Sequence, residues 1–476
     1  MGRRRVTPCA GCQRLRARRA TLQSRVESLT ATVAQLQQQL AAARKDSTTS
    51  SKPPSSDLGK PPAPPLPEGL PARPPGGQPG HPRHLRAPLP PERLTAPPQE
   101  YRLQHCPGGG HDLLPADALA RVVQQMEVLR VPLRIEEHRS VPGFCPHGRK
   151  VHWPQLPPAV EYGGLVGPRL TALIAYLKGA CHASYSTVRK FLRDVVGVSI
   201  CRGQLIKVIG KVSQALDQPY QELLAWLPAQ ARLNVDETGH KDQGVPWWTW
   251  CFRASLYTLF KIEPTRSADV LLEVLGDEFN GVLGCDSFSA YRRSMRECGT
   301  VVQFCLAHLV RDVRFLTTLP DSRDRAYGGR LWAGLRHLFA VFHEREGLSE
   351  RAFRRRLRAA RDALWEEALR EVPPTKPGQN LAKRFAEHGE AYFEFVTTPG
   401  VEPTNNLAEQ AIRFVVLDRH VTQGTRGEAG RRWCERSWTV IASCLQQGRS
   451  VFDYLEAAVG AWFGDTAVPS LVPENG

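Results

Sequence analysis

Leu22, Val26, Leu29, Val33, Leu36 and Leu40 recur at alternating spacings of four and three. That is an a/d seam with Leu at d and mostly Val at a, and it predicts a parallel coiled coil, so a homodimer or higher oligomer through residues 15–43. Helical periodicity returns over 163–226. Leu170, Leu173, Ile174 and Leu177 share a face, Ser184–Thr187 reads as a cap before Val188–Val196, and Gly203–Leu216 follows. Two short helices joined at Gly197-Val-Ser199 resemble a helix-turn-helix, which makes this stretch a candidate DNA-binding domain.

Between 230 and 318 the period shortens. Leu233–Asp236, Trp247–Phe252 and Tyr257–Ile262 predict three consecutive antiparallel strands, with turn residues expected directly after Glu237. Helix Ala268–Leu275, strand Gly281–Asp286, helix Ala290–Arg296, strand Val301–Cys305 and helix Leu306–Leu316 come next. Three strands and then alternating helix and strand is the order of an α/β fold of the ribonuclease-H-like type, with the first and fourth strands adjacent at the sheet centre. Residues 319–400 read as a helical, arginine-rich insertion. Residues 401–463 return to the catalytic core with a helix at Asn405–Arg413 capped by its asparagine, a basic loop Gln423–Arg432 and a last helix including Val440–Leu445. A tail, 464–476, closes the chain.

Composition changes the picture mainly at the N-terminal side. Residues 1–46 hold a basic N-terminus and the coiled coil, and 47–100 hold 17 prolines between Pro53 and Pro98, a linker unable to form a core. The chain carries a formal charge of +16 with a pI near 9.5, which points to a polyanionic partner. No apolar run approaches the ~18 residues of a membrane span, no secretory signal follows the basic start, and twelve scattered cysteines argue for a reducing compartment. DNA in a cytoplasmic, nucleoid-associated setting is therefore the expected partner, and no membrane.

Three acids stand out by their setting. Asp236 ends the apolar run from Ala231, Asp286 closes the run from Gly281, and Glu409 opens the helix after Asn405. Carboxylates at the ends of buried strands are costly unless compensated, and a divalent metal pair is the usual compensation where phosphodiesters are broken. A divalent metal pair shared by Asp236, with Asp286 and Glu409 each holding one ion, forms the expected centre. Glu237, one residue on along a strand, faces away and reads as a supporting residue. Cys305 and His308 stand at metal-ligand spacing, and read as a packed thiol beside a hydrogen-bonded imidazole. Arg413, Arg426, Arg431 and Arg432 follow the acidic helix as candidate phosphate contacts. In 101–155, a zinc-finger-like domain, Cys106, His111, Cys145 and His147 are candidate zinc ligands, a loose fit because neither pair has Cys-x-x-Cys spacing.

In this order the motifs Ser51-Lys-Pro-Pro-Ser-Ser-Asp57, Gly76-Gly-Gln-Pro-Gly-His81, Val235-Asp-Glu-Thr-Gly239, Gln303-Phe-Cys-Leu-Ala-His308, Asn405–Arg413 and Gln446–Phe452 resemble the DDE transposases of the insertion-sequence 66 family over nearly the whole chain. The resemblance implies a ribonuclease-H-like core, two catalytic magnesium ions and strand transfer at transposon ends into target DNA. It places the acidic triad on Asp236, Asp286 and Glu409, with accessory proteins of the same element as candidate partners. The sequence departs from the family in the zinc segment, where Gly109 and Cys145-Pro-His147 replace paired cysteines. Two other readings stay open: a catalytically inactive DNA-binding remnant of a transposase, and a structure-specific nuclease of the same fold.

Overall fold

The computed structural model describes residues 10–43, 90–94, 97, 133–145, 147, 149–276 and 279–473. Most of the 47–100 linker, together with Cys106 and His111, lies outside the described residues.

One helix, α1 (Ala10–Ala43), carries the heptad seam, and every seam residue from Leu22 to Leu40 is at least half exposed along this single chain. A short hairpin, β1 (Gly143–Cys145) and β2 (Lys150–His152), follows. α2 (Pro158–Gly163) precedes the helices expected over 163–226, which are α3 (Pro168–Gly179), α4 (Tyr185–Phe191), α5 (Arg202–Ala215) and α6 (Asp217–Trp226). Ser184 caps α4 by accepting from the Thr187 N–H at 3.1 Å, as the sequence predicts. A single π turn extends α4 to Val196, and Gly197 at φ +80° reverses the chain before α5.

The sheet follows. It contains β3 (Arg232–Asp242), β4 (Val245–Arg253), β5 (Thr258–Glu263), β6 (Val282–Cys285) and β7 (Val301–Phe304) in the order β5-β4-β3-β6-β7. The first three are antiparallel, while β3–β6 and β6–β7 are parallel. α7 (Ala268–Leu275) and α8 (Ser289–Cys298) connect the strands as the pattern predicts. One expectation fails: no turn follows Glu237. β3 runs on to Asp242 because β4 pairs with it residue by residue from Asn234↔Arg253 to Asp242↔Val245, and the turn falls at Gln243-Gly244, both at positive φ.

Helices dominate the rest. α9 (Leu306–Thr317), α10 (Ser322–His343), α11 (Glu350–Leu369), α12 (Lys376–His388) and the one-turn α13 (Glu394–Thr397) pack on one another through Leu331, Leu335, Leu357, Leu364 and Phe385, all buried. α14 (Asn406–Thr422), α15 (Glu428–Gln446) and α16 (Val451–Phe463) complete the chain. The basic loop is therefore shorter than the sequence suggests, because α15 already begins at Glu428.

The outer edge of β5 is closed by side chains. On α15, Glu435, Thr439 and Ser443 recur at four-residue intervals, so they lie on one face. They accept from the backbone N–H groups of Ile262, Phe260 and Thr258 at 2.7, 3.0 and 3.2 Å. A helix face here does the work of a sixth strand, satisfying donors that an edge otherwise leaves open.

Candidate active site

The parallel pairing of β3 with β6 stops at Asn234↔Gly284. Asp236 and Asp286 each stand two residues beyond that pair, at the same level of two neighbouring strands, which are ~4.8 Å apart in any sheet. Side chains two residues apart on a strand share a face, so Asn234, Asp236, Thr238 and His240 all look toward α14. Glu409, in the first turn of α14, enters from that side.

Asn405 sets the position of α14. The sequence suggests a helix cap, yet its side chain makes no capping bond. Its Nδ2 donates to the Val235 carbonyl at 2.8 Å, its Oδ1 accepts from Asn234 Nδ2 at 2.9 Å, and its backbone N–H donates to Cys305 Sγ at 3.2 Å. One buried residue thus fastens α14 to β3 and to the end of β7. Gly284 leaves the room, since a Cβ there would stand 2.5 Å from Asn234 Nδ2. Sequence reasoning missed this role, because these bonds join residues at least 100 positions apart and leave no local pattern.

The carboxylates are under strain from one another. Burial, followed by the charges of Glu237, Asp286 and Glu409, pushes Asp236 well above its ordinary value. Asp286 accepts from the Phe288 N–H at 2.8 Å through Oδ1. Glu409 is held below its ordinary value by His308, against burial, with help from Arg311 and Arg413. His308 Nε2 lies 3.3 Å from Glu409 Oε1 but off the hydrogen-bonding line, and that buried oxygen meets no donor. Glu237 turns to the opposite face, where the Tyr291 hydroxyl donates to it at 2.5 Å and Arg266 Nε at 2.6 Å. The Arg266 guanidinium in turn lies 3.7 Å from the Phe288 ring centroid.

The donor atoms of Cys305, His308 and Glu409 all lie within 4.8 Å of one another, the one such grouping among the described residues, and Asp236 and Asp286 stand outside it. Cys305 is buried, and burial pushes its thiol up. Trp247, Trp248 and Trp250 are packed: Arg431 covers the first, Arg266 the second, and the third is fully buried.

The far end of β3 carries a different acid. Asp242 is buried and accepts from the Thr425 hydroxyl at 2.8 Å and the Gly427 N–H at 2.7 Å, and it pairs with Arg431. His240 lies beside it, 3.0 Å from Thr425 Oγ1. Of the four arginines singled out by sequence, Arg431 is thus committed to Asp242 and Arg432 to Glu435 at 3.0 Å, whereas Arg413 and Arg426 are exposed. Cys145 ends β1 and His147 stands in the following turn, whereas Cys106 and His111 lie outside the described residues.

Residues 163–432 match the IS66 family of transposases, more than half of the chain. The chain belongs to the IS66 transposase family. Residues 9–87 of this IS66 transposase also match a family of unknown function, DUF6444, which covers α1 and most of the proline-rich stretch. No curated protein matches the chain. Membership makes the protein a DNA-binding, nucleic-acid-processing enzyme of transposition. No helix among the described residues is long and apolar enough to cross a membrane.

Proposed function

We propose that this IS66 transposase cuts transposon ends and joins them to target DNA at a centre formed by Asp236, Asp286 and Glu409 on a ribonuclease-H-like sheet. The observation that carries the reading is convergence: three carboxylates from β3, the end of β6 and α14 share one sheet end, burial and then the charges of Glu237, Asp286 and Glu409 push Asp236 up, and Glu409 Oε1 is buried without a donor. An all-oxygen set short of positive charge suits Mg2+. Asp236 would hold both ions, with Asp286 and Glu409 holding one each. When bound, the pair supplies Lewis-acid stabilisation of the attacking and leaving oxygens of one phosphate.

The chain's own residues do the rest. Asn405 aims Glu409 by fixing α14 against β3, and His308 biases Glu409 toward the ionised form. Glu237 anchors Arg266 and Tyr291 behind the sheet, which stiffens the strand that carries Asp236. In the first reaction, a water oxygen attacks the phosphorus at the element's end and the 3′-hydroxyl leaves. In the second, that hydroxyl attacks a target phosphate and displaces a target 3′-oxygen, so no protein–DNA bond forms. Arg413 and Arg426, free of acid partners among the described residues, are the proposed phosphate contacts. α4 and α5 are proposed to read DNA, and the exposed seam of α1 to pair two copies so that two ends are held together.

The test is a strand-transfer assay with the purified chain, labelled DNA bearing the element's own ends, and magnesium, with Asp286→Ala as control. Joined products that need magnesium and vanish in the variant support the reading. End binding without nicking in both proteins would leave a DNA-binding remnant instead.

A further inference from the structure

Next to the carboxylates, a groove of about 620 Å³ opens between α9 and α10. Arg311 and Arg314 line one wall, Trp332, Arg336 and Phe339 the other, and Thr404 closes one end. The walls follow from helical spacing, since positions 332, 336 and 339 fall on one face and 311 and 314 on another. The closed end is the active-site end. Thr404 precedes Asn405, Arg311 lies one turn beyond His308, and the Arg311 charge is among those that hold Glu409 down.

The groove arginines differ from several of their neighbours. Arg330, Arg354, Arg356, Arg361, Arg370 and Arg384 each pair with a carboxylate. Among the described residues, no carboxylate pairs with Arg311, Arg314 or Arg336. Arg314 instead lies 6.0 Å from the Trp332 ring centroid. Trp332 and Phe339 are only half-buried, so part of each ring is open to the groove. Cations without a paired carboxylate beside half-buried aromatic rings match one ligand chemistry, phosphates joined to flat bases. The eight residues of α9 from Ala307 to Arg314 rise about 10 Å along the helix, room for a few nucleotides of one strand.

We propose that this groove holds an unpaired DNA strand next to the cleaved phosphate, with a base against Trp332 and phosphates on Arg311, Arg314 and Arg336. The location beside the reacting phosphate rests on the active-site reading above, whereas strand binding itself does not.

Binding is measured by fluorescence anisotropy on the full chain in EDTA, so that no cleavage intervenes. Two labelled probes carry the element's end, one blunt and one with a four-nucleotide single-stranded flank containing 2-aminopurine. Wild type should bind the flanked probe roughly tenfold more tightly than the blunt one, a gain of the size one stacked base gives, and quench the 2-aminopurine. Trp332→Ala should lose both effects and Trp332→Phe should keep them. Arg314→Ala with Arg336→Ala should weaken flanked binding roughly tenfold and lower the salt slope by about 1.4, two single-strand contacts at ~0.7 each. Circular dichroism melting checks that the variants stay folded.

Equal binding of the two probes by wild type, or unchanged flanked binding in folded variants, overturns the proposal. So does polyglutamate displacing the probe as well as an oligothymidylate of equal charge while Trp332→Ala has no effect, which would mark the groove as a site for an acidic protein segment. The two readings fail separately. Strand transfer without a flank effect sinks only the groove, and a flank effect without strand transfer sinks only the active site.

Discussion

β3 carries an acid at each end of a seven-residue stretch, and the two have opposite environments. Asp236 faces other carboxylates, and burial together with their charge pushes it well above its ordinary value. Asp242 is buried too, but the Gly427 N–H, the Thr425 hydroxyl and Arg431 outweigh burial and hold it below its ordinary value. Same residue type, same strand, same face: only the partners differ. A buried acid with every oxygen answered fixes a loop. One left among like charges costs stability in the empty protein, and that cost is recovered only when a cation arrives. The difference separates an acid that builds the fold from an acid proposed to do chemistry.

The largest effect should come from Asp236→Asn. Losing a metal ligand worth several kcal/mol in the transition state predicts a fall in strand transfer of roughly a thousandfold. The melting temperature without metal should hold or rise, because like-charge repulsion goes. Magnesium should raise the melting temperature of wild type and not of the variant. A variant that melts lower and still responds to magnesium would erase the contrast between the two acids.

Asp242→Ala should do the reverse, costing about 3 kcal/mol in urea unfolding because Arg431 and the Gly427 N–H lose their partner in a buried setting. The variant's remaining folded fraction should still respond to magnesium.

Asn405→Ala tests how Glu409 is aimed. Two buried hydrogen bonds go, which predicts about 2 kcal/mol of lost stability. Strand transfer should fall by roughly 10- to 100-fold, as for other groups that orient a metal ligand. Asp242 and its loop should be untouched, which proteolysis around Gly427 would read.

The smallest effect is one of pH. Burial, then the Arg419 charge, lowers His240 from its ordinary value to about 4. The unfolded chain therefore binds a proton that the folded chain refuses, and stability falls as pH drops from 6.5 toward 4. Over one pH unit inside that window the loss is about 1 kcal/mol. His240→Gln should flatten that slope in urea titrations at pH 6 and 5.

The sequence made much of this readable. Alternating helix and strand from Ala268 to Leu316 is nearly coincident with α7, β6, α8, β7 and α9, because each apolar run there is buried and bounded by Gly or a cap. The parallel adjacency of β3 and β6 follows from that order. The second half of β3 was not readable, since Thr238-Gly239-His240-Lys241 has no apolar alternation and is held by pairing with β4 rather than by burial. Asn405 and Arg431 were assigned from their neighbours in sequence, one as a cap and one as a phosphate contact, whereas their partners come from β3. Side-chain bonds across the fold leave no periodic trace.

The closure of β5 by α15 also has a consequence in time. Ile262 and the Glu435 side chain that answers it are 173 residues apart. At ~5–20 residues per second, the ribosome needs on the order of 10–35 s to bridge that gap. Through that interval β5 is a finished strand with an open edge, on a chain whose N-terminal helix is proposed to pair with another copy of itself. Nascent chains translated side by side are most exposed to mispairing in those seconds, and the exposure ends when α15 leaves the exit tunnel.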